Sequence, residues 1–260
     1  MSFKPFDLNG KVALITGGNG GIGLGMAEAL ASAGARVVIW GLNPEKNAAA
    51  EARLEALGGE VLVERVDVSD EQAVIAGMAH ALEAMGRIDF VAANAGVGGG
   101  APSFAEFTTE QWRRVTQVNL DAVFWTFREA CKHMVDRAHA GDPGGSLLVT
   151  SSTSAIDGAP RNQAYASTKS GVLAMIRGIA VEYARHGVRA NAVLPGWIRS
   201  DMTSGLQGWE KFNQQVIGRV PMRRWGEPED FGGIAVYFAS DASRFHTGDS
   251  VVVDGGYTIF

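Results

Sequence analysis

The sequence predicts an α/β fold: a single doubly wound parallel sheet of about seven strands, with helices on both faces. Three observations predict it. Short β-branched runs alternate with longer helical patterns along the chain. The strand runs are nearly all apolar, as strands covered on both faces must be. Glycines, 34 in all, exceed their average share and gather at the ends of those runs, where tight backbone turns are required.

In chain order, strands are expected over 11–16, 36–40, 61–66, 88–93, 145–150, 188–193 and 250–253, each rich in Val, Ile or Leu. Between them, 22–32, 45–57, 71–85, 110–137 and 164–185 have helical composition and length. The glycine-rich stretch 141–145 is a turn, since a strand pattern resumes directly after it. One stretch breaks the rhythm: 197–228 is long and rich in Trp, Met and Arg, and is expected to form short helices over the functional edge, as a lid. With no linker, repeat or low-complexity segment, residues 1–260 are read as one domain.

Composition narrows the function classes. A chain of 260 residues can bury roughly three quarters of its unfolded surface, so neither metal nor disulfide is needed for stability. Cys131 is the single cysteine, which excludes an internal disulfide and a cysteine-rich metal site and fits a cytoplasmic location. The first ten residues carry no apolar run of signal-peptide length, and no later run approaches the roughly 20 residues of a membrane span. A net charge of −5 without a Lys/Arg block argues against nucleic acid as a partner. The five histidines show no metal-binding spacing, and no serine sits in a G-x-S-x-G elbow.

Chemistry begins after the first strand. Thr16-Gly17-Gly18-Asn19-Gly20-Gly21-Ile22-Gly23 opens the first helix, where glycines let a pyrophosphate approach the backbone and the helix N–H groups. Two registers are legal: Gly18, Gly20 and Gly23 as GxGxxG, or Gly17, Gly21 and Gly23 as TGxxxGxG. After the second strand, Gly41-Leu42-Asn43 supplies neither the acid that would hold an NAD ribose nor the arginine that would hold a 2′-phosphate, so NAD and NADP stay open. Further on, Tyr165 and Lys169 stand four apart in a helical pattern and project from one face. A phenol near pKa 10 is a poor base at neutral pH, and an adjacent cation favours its phenolate.

The TGxxxGxG register and the Tyr165-Ala166-Ser167-Thr168-Lys169 segment resemble the short-chain dehydrogenase/reductase family, and other segments resemble it in the same order. Asp67-Val68 matches the family's adenine-contacting pair. Ala93-Asn94-Ala95-Gly96 matches NNAG with Ala93 for the first Asn, and Asn94 at the sheet-stabilising position. Ser152, thirteen residues before Tyr165, stands at the spacing of the family's catalytic serine. Asn119, in the long fourth helix, matches the asparagine that holds a relay water. Pro195-Gly196-Trp197-Ile198-Arg199-Ser200 follows PGxxxT with Ser200 for Thr.

The resemblance implies a Rossmann-type fold, NAD or NADP as cofactor, and hydride transfer coupled to proton exchange. Catalysis would fall to Asn119, Ser152, Tyr165 and Lys169. The cofactor would meet Gly17, Asn19, Gly21, Ile22, Gly23, Leu42, Asp67, Val68, Asn94, Ala95, Gly96, Tyr165, Lys169, Pro195, Gly196, Ile198 and Ser200. It also implies a homotetramer, and the aromatic stretch 123–127 suits burial at a subunit contact. Segments 97–104, 154–162 and 197–214 would line the pocket. Their Gly, Ser, Asn, Arg and Trp suit a small polar carbonyl or alcohol, such as a sugar acid or polyol. A 3-oxoacyl thioester is the alternative, and it requires a basic docking surface not found in the sequence. From other classes, a silent nicotinamide-binding regulator and a methyl-donor-dependent transferase would share the glycine turn, but neither needs the Tyr165–Lys169 pair.

Overall fold

The computed structural model describes residues 4–260. Seven strands, β1 (Val12–Thr16), β2 (Arg36–Trp40), β3 (Val61–Glu64), β4 (Phe90–Ala93), β5 (Gly145–Thr150), β6 (Val188–Pro195) and β7 (Ser250–Val253), form one parallel sheet. Their order is β3-β2-β1-β4-β5-β6-β7.

The period-2 alternation of strands divides the core in two. Val12 and Leu14 of β1 face one apolar cluster, while Ala13 and Ile15 face the other. The first cluster is closed by α3 (Glu71–Met85), α5 (Ala122–His139) and α7 (Gln163–Tyr183), through Met78, Phe127 and Ile176. Across the sheet, α1 (Gly21–Ser32), α2 (Pro44–Glu55) and α10 (Gly232–Ala239) bury Met26, Leu54 and Phe238. The remaining helices are α4 (Thr109–Thr116), α6 (Ser154–Asp157), α8 (Ser204–Gln207) and α9 (Glu210–Val216).

Differences from the expected elements have local causes. β3 stops at Glu64, which accepts the Trp40 indole N–H at 2.9 Å. The expected helix over 110–137 is two helices, because Gln117–Asp121 between α4 and α5 is a wider turn in which the Ala122 N–H reaches back to the Gln117 carbonyl. α10 escaped the sequence reading, since its GGIAVYFA has a glycine start and nearly uniform hydropathy. The aromatic stretch 123–127 requires a correction. Val123 and Phe127 belong to the chain's own core, and Phe124 is the one that faces outward.

Strand order reverses between β1 and β4, since β1 is flanked by β2 on one side and β4 on the other. In a doubly wound sheet the crevice at that reversal, outside the carboxyl ends of the strands, is where ligands bind.

Candidate active site at the carboxyl edge of the sheet

A hydrogen-bonded seam closes the floor of this crevice. The Thr16 hydroxyl oxygen accepts the backbone N–H groups of Asn94 and Ala95, each at 3.0 Å. In return the Asn94 amide donates to the carbonyls of Thr16 and Gly17 at 3.2 and 3.3 Å, and its Oδ1 accepts the Thr150 hydroxyl at 3.1 Å. One side chain thus joins the ends of β1, β4 and β5. Ala93, in place of an asparagine, is buried and takes no part in the seam.

The glycine loop follows the seam and selects one register. Gly17 has φ +65°, and a Cβ on Gly23 would stand 2.3 Å from the Gly17 carbonyl oxygen. Gly21 also has positive φ, whereas Gly20 is extended and a Cβ there meets nothing within 4 Å. Gly18 is tight as well, a Cβ there standing 2.6 Å from the Ile39 side chain, so it is the freedom at Gly20 that disfavours GxGxxG, while Gly17, Gly21 and Gly23 are all constrained. No side chain caps α1, and no acid lies in its first turn. That leaves a helix N-terminus suited to a pyrophosphate, so these residues fit a dinucleotide.

Around the loop, the Asn19 amide donates to Asn47 of α2 at 2.6 Å, and the Asn47 amide donates to the Gly41 carbonyl at 3.0 Å. Leu42 is exposed beside the α2 N-cap Asn43. Asp67 spends one carboxylate oxygen on the Ser69 N–H and hydroxyl, and Val68 is buried. On the far side, the Gly196 N–H donates to Val253, and the Pro195 carbonyl accepts Thr153 N–H at 3.1 Å. Ile198 is buried with its carbonyl taken by the Thr203 hydroxyl at 2.7 Å, and Ser200 pairs with Thr203 in a capping box. Ser200 lies over the glycine loop, 3.4 Å from a Cβ placed on Gly21.

The four expected catalytic residues converge. Lys169 is 4% exposed and donates to the Thr150 carbonyl at 2.7 Å, with Nζ 5.5 Å from the centre of the Tyr165 ring. Asn119 is fully buried in the widened turn. Its Oδ1 accepts Val97 N–H at 2.8 Å and its Nδ2 donates to Val97 O at 2.9 Å. Both side chains close on Gly96, where a Cβ would stand 3.3 Å from Asn119 Oδ1 and 3.5 Å from Lys169 Nζ. Ser152 accepts the Ser154 N–H at 3.1 Å, which leaves its hydroxyl proton free to donate, and it lies beside the Tyr165 phenol. Ser151 instead donates to the Lys169 carbonyl at 2.8 Å, fastening α7 to β5.

Burial sets the electrostatics. It pushes the Lys169 ammonium down to about 8 and the Tyr165 phenol up, the latter opposed by the Ser152 hydroxyl. In the protein alone, desolvation of the phenol is the larger of the two influences on it. Thr16 and Thr150 were missed as site residues. The usable signal was a hydroxyl residue at the last position of a buried strand, immediately before the glycine turn in one case and before Ser151-Ser152 in the other.

Residues 17–258 match the family model described as enoyl-(acyl carrier protein) reductase. Gluconate 5-dehydrogenase of Gluconobacter oxydans (strain 621H) is 36% identical over 254 residues, covering 98% of this chain and 97% of that protein. The 3-oxoacyl-(acyl-carrier-protein) reductase of Chlamydia pneumoniae is 34% identical, covering 96% of this chain and 98% of that one. Among solved structures, a gluconate 5-dehydrogenase from Burkholderia cenocepacia J2315 in complex with NADP and tartrate superposes with TM-score 0.92 at 33% identity, covering 99% and 98% of the two chains.

Proposed function

Because the chain belongs to the short-chain dehydrogenase/reductase family, and is an NAD(P)-dependent oxidoreductase acting on CH–OH groups, we propose that it interconverts the alcohol and ketone of a sugar acid through Ser152, Tyr165, Lys169 and Asn119. Lys169 carries the reading. A buried ammonium held on the Thr150 carbonyl beneath the Tyr165 ring is costly for stability and has no structural purpose that an apolar side chain would not serve.

When bound, the nicotinamide supplies or takes the hydride. The Ser152 hydroxyl donates to the substrate oxygen and steadies charge there. Tyr165 gives its proton to the same oxygen in reduction and takes it back in oxidation. The Lys169 charge stabilises the phenolate that remains. Asn119 fixes the Val97 backbone and the end of the lysine's chamber, with one N–H and one lone pair left for a relay water. The dinucleotide is held by Gly17, Asn19, Gly21, Ile22, Gly23, Leu42, Asp67, Val68, Asn94, Ala95, Gly96, Pro195, Gly196, Ile198 and Ser200, with Tyr165 and Lys169 at its nicotinamide ribose.

The whole chain acts as one domain, with 197–228 as its lid. The lid reading is supported by Met202, which lies 3.8 Å from a Cβ placed on Gly98, and by the Lys46–Asp201 ion pair to α2. A homotetramer is supported by exposed Trp112 on α4, Phe124 on α5 and Val181 on α7. A cytoplasmic location accords with one buried, unpaired cysteine.

The test follows reduced nicotinamide by absorbance, with NADH and NADPH in separate arms. The panel holds keto-sugar acids, neutral ketones and 3-oxoacyl thioesters. Turnover concentrated on keto-sugar acids is expected. Preference for thioesters would transfer the assignment to the acyl-carrier reductases, and cofactor binding without any turnover would favour the silent regulator.

A further inference from the structure

We propose that Arg161 is the specificity residue of the pocket and takes the carboxylate of the substrate, an inference that rests on the sugar-acid reading above. Among the described residues only Arg161 and Arg223 are non-glycine positions with positive φ, +66° and +55°. L side chains rarely adopt this conformation, and it persists where surrounding structure enforces it, often at functional sites. Arg223 has a local reason, because its guanidinium closes on the Gly218 carbonyl of its own turn. Arg161 is the third residue of the Ala159–Asn162 turn, behind Pro160, where such a turn calls for positive φ, but its exposed guanidinium makes no hydrogen bond and meets no carboxylate within 4 Å among the described residues.

This turn is tied to the pocket wall. The Arg161 carbonyl accepts the Ala101 N–H at 3.0 Å, and the next N–H, of Asn162, returns to Ala159 at 3.0 Å. The loop so gripped begins at Gly96, against Lys169 and Asn119, so its two ends bracket the space between the catalytic lysine and Arg161. From the other side, Arg161 stands four residues before Tyr165, at the entry to α7. The entry is not built for capping. Asn162, the N-cap, makes no side-chain cap bond, and its buried Oδ1 has no partner, nor has the buried Oε1 of Gln163. Two successive buried acceptors without partners, beside a cation without one, suit a ligand-binding turn.

The other cations on the pocket segments fit less well. Arg199 is paired with Glu227 at 3.0 Å. Lys46, outside those segments, is paired with Asp201. Lys211 has no carboxylate partner, but it rises from α9 and has no tie to the catalytic helix. A guanidinium also presents two parallel N–H donors that match a carboxylate, which an ammonium does not. A sugar acid with its reacting carbon at Tyr165 needs such a group at the far end of its carbon chain.

Arg161→Asn tests this, because Asn tolerates positive φ and removes the charge without releasing the backbone. The ratio of KM for a keto-sugar acid to KM for a neutral keto sugar is expected to rise about 10- to 100-fold, the size of a lost charged hydrogen-bond pair. Arg161→Lys is expected to recover part of it. Binding of D-gluconate, followed by thermal shift with NADP present, should weaken in parallel. A ratio unchanged within about twofold, or equal losses on both substrates, overturns the role of Arg161 while leaving the sugar-acid reading in place. A wild-type protein that neither turns over a keto-sugar acid nor binds gluconate overturns both.

Discussion

The ammonium of Lys169 and the carbonyl oxygen of Thr150, 2.7 Å apart, join the middle of α7 to the last residue of β5 in a buried contact. One hydrogen bond does not repay the desolvation of a full charge. The consequences can be measured in the protein without any substrate.

Lys169→Met should stabilise the fold at pH 7 by about 1–3 kcal/mol while abolishing turnover. The sign follows from the direction of the shift. Burial lowers the folded-state value from 10.5 to about 8, so the unfolded chain binds the extra proton between those limits. Wild-type stability therefore rises with pH across this window, and the advantage of the variant shrinks through it. Urea unfolding at pH 7 and pH 10 reads both. A variant less stable than wild type at pH 7 would mean that the buried ammonium carries no net desolvation cost.

Tyr165→Phe removes the proton donor and keeps the ring whose face Lys169 meets. Turnover should fall a hundred- to ten-thousandfold, the usual worth of a positioned general acid. Fluorescence titration with NADPH should show affinity nearly unchanged. Full activity in the variant would remove Tyr165 from the mechanism.

Thr16→Val keeps the shape of the side chain but leaves the N–H groups of Asn94 and Ala95 without their acceptor. Two unsatisfied buried donors should cost about 2–4 kcal/mol, and Thr16→Ser should recover most of this. Calorimetry of the pair separates a hydrogen-bonding role from simple packing.

Gly23→Ala and Gly20→Ala form a contrast. A Cβ on Gly23 collides with the Gly17 carbonyl, whereas one on Gly20 meets nothing within 4 Å. The first should cost about 1–3 kcal/mol and weaken NADPH binding; the second should change stability by less than about 0.5 kcal/mol. Equal effects would mean that the glycine register has been misread.

The fold was largely legible because parallel strands buried on both faces write themselves as apolar runs, as in Val12–Thr16 and Gly145–Thr150. That Ser152, Tyr165 and Lys169 would lie together was legible through spacing, above all the separation of Ser152 from Tyr165. The structure gives Ser151 its own task, on the Lys169 carbonyl. Less visible were features that depend on distant partners. Thr16 receives amides 78 and 79 residues away, and no local pattern announces that. The direction of the Tyr165 shift was hidden for a related reason. Spacing shows that a cation is near, but not how little water surrounds the phenol.

The widened turn at Gln117–Asp121 also constrains how this chain can change. Each residue of an α-helix advances the direction of its side chain by roughly 100°. The extra residue in the turn thus sets the rotational phase of α5 relative to α4. A one-residue deletion within 117–121 would leave both helices intact as helices, yet rotate Phe127, Cys131 and Met134 away from the sheet they now cover. The Asn119 amide and the core of the neighbouring helix are therefore inherited together, and insertions or deletions tolerated in surface loops should be lethal to folding here.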